Sequence, residues 1–135
     1  MARKNEKAEY QDLVKEHYRK EAKAHGGNTT STMADKITRQ REIDALISYL
    51  KDGDTCLEVG CGNGAGSVAI ARAKKVNMTC VDFSPELLVL AKKQPTKGIK
   101  GKVTFRQQDV LTLDEKNKYN VVFTERCIIN LMKWE

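Results

Sequence analysis

The run Leu57-Glu58-Val59-Gly60-Cys61-Gly62-Asn63-Gly64-Ala65-Gly66 constrains this chain more than any other, because an apolar strand passes through one acid into a turn with glycine at alternate positions. Glycine lacks a Cβ and takes positive φ freely, so a ligand can lie against main-chain N–H groups where the next helix begins. Ser67 to Ala73 reads as that helix. The pattern points to a nucleotide-like cofactor. A plain glycine-rich strand-to-helix turn is the competing reading, and three further signals bear on it.

Val76-Asn77-Met78-Thr79-Cys80-Val81 reads as a second buried strand ending in Asp82, at the distance from the glycine turn where a carboxylate can accept from two vicinal ribose hydroxyls. Phe83 beside it can lie against a purine face. Asp82 could instead serve as an N-terminal helix acid, but Ser84 before Pro85 suffices as the cap. Val103-Thr104-Phe105-Arg106-Gln107-Gln108-Asp109-Val110 is an alternating strand that leaves through another acid, where turn chemistry alone is a strong rival explanation. Tyr119-Asn120-Val121-Val122-Phe123-Thr124-Glu125-Arg126 is a fourth strand, which delivers Thr124 and Glu125 to the same edge. Ligands of parallel sheets bind outside the carboxyl ends of the strands, where strand order reverses.

With Glu58-x-Gly60-x-Gly62-x-Gly64 followed by Asp82 and Asp109, the stretch from about Asp35 to Trp134 resembles the class I S-adenosylmethionine-dependent methyltransferases. The resemblance implies an α/β fold, a Rossmann-like doubly wound parallel sheet, here truncated to about four strands and preceded by N-terminal helices. It implies that Glu58 and the turn Gly60, Cys61, Gly62 and Gly64 surround the methionine part of S-adenosyl-L-methionine, whose product is S-adenosyl-L-homocysteine. Asp82 would bind the ribose hydroxyls, Phe83 and Val110 would flank the adenine, Asp109 would accept from its amino group, and the Thr124 backbone would face the methionine amine. A dinucleotide-binding domain competes, since Gly60-x-Gly62-x-x-Ala65 also fits its fingerprint. Glu58 argues against it, because a carboxylate suits a cofactor carrying an ammonium group and sits awkwardly beside a pyrophosphate. A phosphate-cradling P-loop is excluded, as no Gly-Lys-Ser or Gly-Lys-Thr follows the turn.

At 135 residues with two prolines, the chain has room for one α/β domain, which we assign to residues 35–135, behind an N-terminal helix and loop at 1–34. Tyr10, Leu13, Val14 and His17 or Tyr18 recur at helical spacing over about Ala2 to Ala24, ending near Gly26-Gly27, and Asp35 can cap a second helix with a core stripe of Ile43, Leu46, Ile47 and Leu50. Thr32 and Met33, in the loop between them, are placed to close over the cofactor as a lid. No apolar run approaches membrane-spanning length and no signal-peptide core is present, so a cytoplasmic location without membrane contact is expected. The family's complete sheet has more strands than the four found here. Either the chain is a fragment of a longer enzyme, the favoured reading, or it is a small protein that covers its open edge by self-association. A homodimer is expected in both cases, with Ile128, Ile129, Leu131, Met132 and Trp134 otherwise unburied.

The net charge is +6, much of it in Lys92, Lys93, Lys97, Lys100, Lys102 and Arg106. Aromatic residues do not interleave with this stretch, so a small-molecule acceptor is favoured over nucleic acid. Cys56, Cys61, Cys80 and Cys127 have no C-x-x-C spacing and read as buried thiols in a reducing compartment, with no metal centre. His17 and His25 lie outside the motif set and are assigned surface or helix-end roles. Methyl transfer needs alignment and exclusion of water more than it needs a base. No catalytic residue is assigned beyond the candidate base Glu125, whose alternative role is a pocket-shaping ion pair with Arg126 or another cation. A domain that binds the cofactor without catalysing transfer, or only with a partner supplying the missing half, is the alternative of a different class.

Overall fold

Four short runs rich in Val, Cys, Thr and Phe lie too close to capping and turn residues to continue as helices, and each forms a strand. In a computed structural model that describes residues 2–26, 35–125, 127 and 131, they are β1 (Thr55–Val59), β2 (Asn77–Asp82), β3 (Lys102–Gln107) and β4 (Val121–Thr124). The helices are α1 (Ala2–His25), α2 (Lys36–Tyr49), α3 (Ala65–Ala73) and α4 (Pro85–Lys92). The sheet is parallel throughout, in the order β3-β2-β1-β4. The chain therefore steps outward from β1 to β3 and then returns to the far side of β1. The order reverses between β1 and β4, which opens a crevice at their carboxyl ends.

The caps explain where the helices start. Asp35 accepts from the N–H groups of Ile37 and Thr38 at the head of α2, and Ser84 accepts from Leu87 N–H at the head of α4, with Pro85 in the first helical position. On one face of the sheet Cys56, Met78, Cys80, Phe105 and Phe123 meet Ile43 and Leu50 from α2 and its end, Ile70 and Ala71 of α3, and Leu88 of α4. The other face is covered differently. Leu57, Val59 and Val81 pack there against Val110, Leu113, Tyr119 and Cys127, so among the described residues its cover is the irregular β3–β4 connection and Cys127, with no α-helix in the cluster. Glu115 ties that connection to the sheet, accepting from the Arg106 guanidinium and the Tyr119 hydroxyl at 2.6 Å each.

Several boundaries differ from the sequence reading. α3 begins at Ala65 rather than Ser67, because Gly64 itself takes the cap position at φ 75°. β3 stops at Gln107, since the Asp109 carboxylate accepts from Leu111 N–H and turns the chain into a short 3-10 segment over Val110–Thr112. β4 starts at Val121, because the Asn120 side chain is committed to Thr55 N–H and to Asp54. α1 forms as expected and ends at Gly26, but Leu13 is 70% exposed, and the inward side is Val14, Tyr18 and Ala22. That side follows α4 and Phe83, which no periodicity in the sequence could orient. Among the described residues no helix is long and apolar enough to cross a membrane. The lid at Thr32 and Met33, the ion-pair partner Arg126, the His25 side chain and the apolar residues Ile128, Ile129, Met132 and Trp134 lie outside the described residues.

Candidate functional site

The glycine turn is fixed to the end of β2 by three hydrogen bonds, and a fourth closes the turn that follows β2. Gly60 N–H and Cys61 N–H donate to the Val81 carbonyl at 2.8 and 3.0 Å, Gly62 N–H donates to Asp82 Oδ2 at 2.8 Å, and Ser84 N–H donates to Asp82 Oδ1 at 2.9 Å. Asp82 thus holds two loops together. Burial pushes its pKa up and the N–H donors oppose that shift, because they favour the ionised form. Gly60 has φ 81° and its missing Cβ would sit 2.8 Å from the Cβ of Cys127, so conformation and space both demand glycine.

A cavity of about 290 Å³ opens over this turn. Of the residues singled out from the sequence, Glu58, Gly60, Cys61, Gly62, Asp82, Phe83, Asp109, Val110 and Glu125 line it. Gly64 and Thr124 are not in its wall. At Gly64 a Cβ would fall 2.6 Å from Phe105 Cζ, so its glycine serves helix–strand packing. Thr124 ends β4, in register with Val59.

Glu58 is the most unusual group in the wall. It is 2% exposed, and its Oε2 accepts from the Ser67 hydroxyl at 2.5 Å. Burial raises its pKa to about 7; the Ser67 hydroxyl and the Cys80 thiol oppose the shift without bringing charge, and Glu125 adds to it. Arg39 acts on it only weakly, being engaged elsewhere: its guanidinium pairs with Glu125 and lies 3.7 Å from Glu42. Glu125 is therefore in an ion pair whose cation is Arg39, from α2. Burial raises the Glu125 pKa and Arg39 works against that rise.

Sequence reasoning missed the contribution of the first helix and of α2. Gln11, Val14, Lys15, His17 and Tyr18 of α1 complete the cavity wall, so His17 faces the site rather than standing apart from it. The Tyr18 ring meets Phe83 edge-on with centroids 6.1 Å apart. Asn63 joins the turn to α1, its side-chain amide donating to the Gly26 carbonyl at 3.0 Å. Its place inside the glycine motif was the available signal, since a buried amide there must find partners. Arg39 offered none: one arginine in a charged helix looks like any other.

A parallel sheet with a glycine turn at its switch point and acids leaving successive strands defines a Rossmann-like cofactor-binding domain. A family profile described as a methyltransferase domain matches residues 50–133, and the chain belongs to this family, the class I S-adenosylmethionine-dependent methyltransferases. A magnesium-protoporphyrin O-methyltransferase from Rhodobacter capsulatus is 27% identical over 107 residues, which cover 70% of this chain and 47% of that protein. The chain thus spans about half the length of this curated relative. Two solved structures share the fold: magnesium protoporphyrin IX methyltransferase from Synechocystis PCC 6803 with bound S-adenosylmethionine (TM-score 0.69, 18% identity, 90% of this chain and 64% of that one) and Haemonchus contortus phosphoethanolamine N-methyltransferase 1 with phosphoethanolamine and S-adenosylhomocysteine (TM-score 0.70, 19% identity, 90% and 26%).

Proposed function

We propose that this chain is the cofactor-binding half of an enzyme that transfers the methyl group of S-adenosyl-L-methionine to a small-molecule acceptor. The observation that carries the reading is Glu58: a buried carboxylate facing the cavity, held by an uncharged hydroxyl and thiol, is completed by a cationic group such as the ammonium of an amino-acid tail. A dinucleotide would bring a pyrophosphate to the same turn and worsen the burial of that charge.

Glu58 and the turn over Gly60, Cys61 and Gly62, whose missing side chains at the glycines let the ligand approach, would hold the methionine end, Asp82 the ribose hydroxyls, and Phe83, Val110 and Asp109 the adenine. When bound, the cofactor supplies a methyl group on a sulfonium, which leaves as a neutral thioether as the acceptor–methyl bond forms and the acceptor gives up a proton. The chain's own task is alignment and exclusion of water, in which Tyr18 and Val14 of α1 complete the cavity wall. Glu125 remains a candidate proton acceptor, opposed by its pairing with Arg39.

The relatives are named for a porphyrin O-acceptor and an amine N-acceptor, so membership of the family leaves the acceptor open. Exposed Lys92, Lys93, Lys97, Lys100 and Lys102 cluster where β3 begins, at the sheet edge away from the cavity, and Arg106 is taken up by Glu115. A nucleic acid gripped there would not present a base to the methyl position, which favours the small molecule.

Calorimetric titration with S-adenosylmethionine, S-adenosylhomocysteine and NAD, repeated on Asp82→Ala, tests the proposal. Binding of the sulfur cofactors alone, lost in the variant, is the expected result. Binding of NAD, or of none of the three, would refute it.

A further inference from the structure

The lysines that lead into β3 form a surface which the cavity does not use and which the fold enlarges beyond the sequence run. Lys92 and Lys93 close α4, and Lys97, Lys100 and Lys102 follow; all five are exposed. The connection that carries them is fixed to the end of α3. The Arg72 guanidinium donates to the Pro95 and Lys97 carbonyls at 3.0 and 3.1 Å, and Lys100 N–H and Gly101 N–H donate to the Ala71 carbonyl at 3.0 and 2.9 Å. A Cβ on Gly101 would fall 2.4 Å from the Val76 carbonyl, so the missing side chain lets this connection lie against the start of β2 and brings exposed Lys75 into the group. Asp52, which accepts from Lys75 N–H at 2.8 Å, offsets one of the six charges. Asp82 and Glu86, the acids between Lys75 and Lys102, lie at the other end of the sheet, beside the cavity and in the first turn of α4. Both α3 and α4 finish here, and each helix C-terminus carries only about half a negative charge, so helix ends alone do not account for six lysines.

We propose that this edge docks the protein on an anionic phospholipid surface. Lysine is a compact, hydrated point charge, and Arg72, the guanidinium of this region that could grip a phosphate with a planar fork, is spent on carbonyls. The N–H groups of Ile99, Lys100, Gly101 and Lys102 all donate to carbonyls of the chain, so they form no cradle for a phosphate. No aromatic residue stands between Lys92 and Lys102 for a base to stack on. The attraction that remains is diffuse and acts over a Debye length, which suits the spread charge of a lipid leaflet better than the ordered phosphates of a nucleic acid. Val89, 53% exposed, lies one turn before Lys92 and Lys93 on the same face of α4, an apolar contact that the headgroup region accepts beneath extended lysine side chains. Docked by this edge, the protein keeps its cavity on the far side, at the carboxyl ends of the strands. The expectation of no membrane contact rests on the lack of a membrane-spanning run, and docking by charge needs none.

The test is flotation of the full chain with vesicles of phosphatidylcholine alone or with about 30% phosphatidylserine, at about 50 and about 500 mM salt. Wild type should float with the phosphatidylserine vesicles at low salt, at least about tenfold less at high salt, and not with phosphatidylcholine alone. Each lysine near such a surface is worth roughly fivefold in affinity, so Lys97→Gln with Lys100→Gln should weaken binding roughly 25-fold. Lys92→Gln with Lys93→Gln should do the same and serves if the first pair lowers the melting temperature. Lys20→Gln with Lys23→Gln changes the net charge equally from exposed positions on α1 and should bind as wild type does. An equal loss in that control would show that net charge alone is responsible and would overturn the proposal. So would failure of wild type to float, or flotation that persists at high salt or on phosphatidylcholine alone. Tighter binding to a mixed-sequence DNA duplex than to the vesicles, at equal phosphate concentration, would overturn the assignment to a lipid surface.

Discussion

Replacing Glu58 by Gln should stabilise the ligand-free protein at neutral and alkaline pH while weakening its cofactor site. Burial raises the Glu58 pKa from an ordinary 4.5 to about 7. Below pH 4.5 the side chain is protonated in both the folded and the unfolded chain, and it costs nothing. As pH rises from there towards 7, the unfolded carboxylate ionises while the folded one keeps its proton, so folding stability falls; above 7 the full cost is present, about 3 kcal/mol. Glutamine has the shape of the protonated acid and can still accept from Ser67, but it never ionises. Stability of wild type and Glu58→Gln, measured by urea denaturation at about pH 4 and about pH 8, should therefore diverge by about 3 kcal/mol in favour of the variant at the higher pH. Any constant cost of the buried amide cancels in that comparison. In a chain of this size the divergence corresponds to about 10 °C in melting temperature. Cofactor binding should show the converse: a carboxylate that must ionise to meet an ammonium makes wild-type affinity rise roughly 20-fold between about pH 5.5 and 7.5, and Glu58→Gln should bind weakly with no such rise. Parallel stability profiles for the two proteins across this range would refute the burial argument.

Three other perturbations separate structural from binding roles. Gly64→Ala combines φ 75° with a Cβ 2.6 Å from Phe105 and should lower stability by about 2 kcal/mol or more in thermal melts, with ligand affinity of the folded fraction little changed because Gly64 is outside the cavity wall. Asp82→Asn can accept with only one of its two terminal atoms, so either Gly62 N–H or Ser84 N–H loses its bond; melts should show a loss of about 1–3 kcal/mol, and calorimetry weaker cofactor binding. Removing residues 1–33 takes Val14, His17 and Tyr18 from the wall and exposes Phe83, and should weaken cofactor binding at least about tenfold; equal affinity would refute a closing role for α1.

Much of the site was legible because its chemistry is local. An acid, a glycine turn and a helix start within ten residues, then Asp82 and Asp109 at the ends of the following strands, are patterns that period and turn propensity reveal without knowledge of the fold. The caps at Asp35 and Ser84 and the core stripe from Ile43 to Leu50 were readable for the same reason: each depends on neighbours within a few positions. The start of β4 was less legible, as Asn120 spends its side chain on Thr55 N–H and on Asp54, which only the folded chain brings near.

What the sequence by itself determined is the parallel α/β class, the glycine turn and the acids that leave the strands, since each is written in a short stretch of chain. The tertiary structure decided which surfaces meet there. Placing β4 beside β1 carries Glu125 to Arg39, 86 residues earlier in the chain, and packing α1 against α4 turns Tyr18 inward and Leu13 outward. It decided too that Gly66 clears a path for a guanidinium while Gly64 clears one for a phenyl ring. The physical reason is that such contacts join residues with no periodic or adjacent relation along the chain, so they exist only once strand order and helix orientation have been set by burial of the whole core.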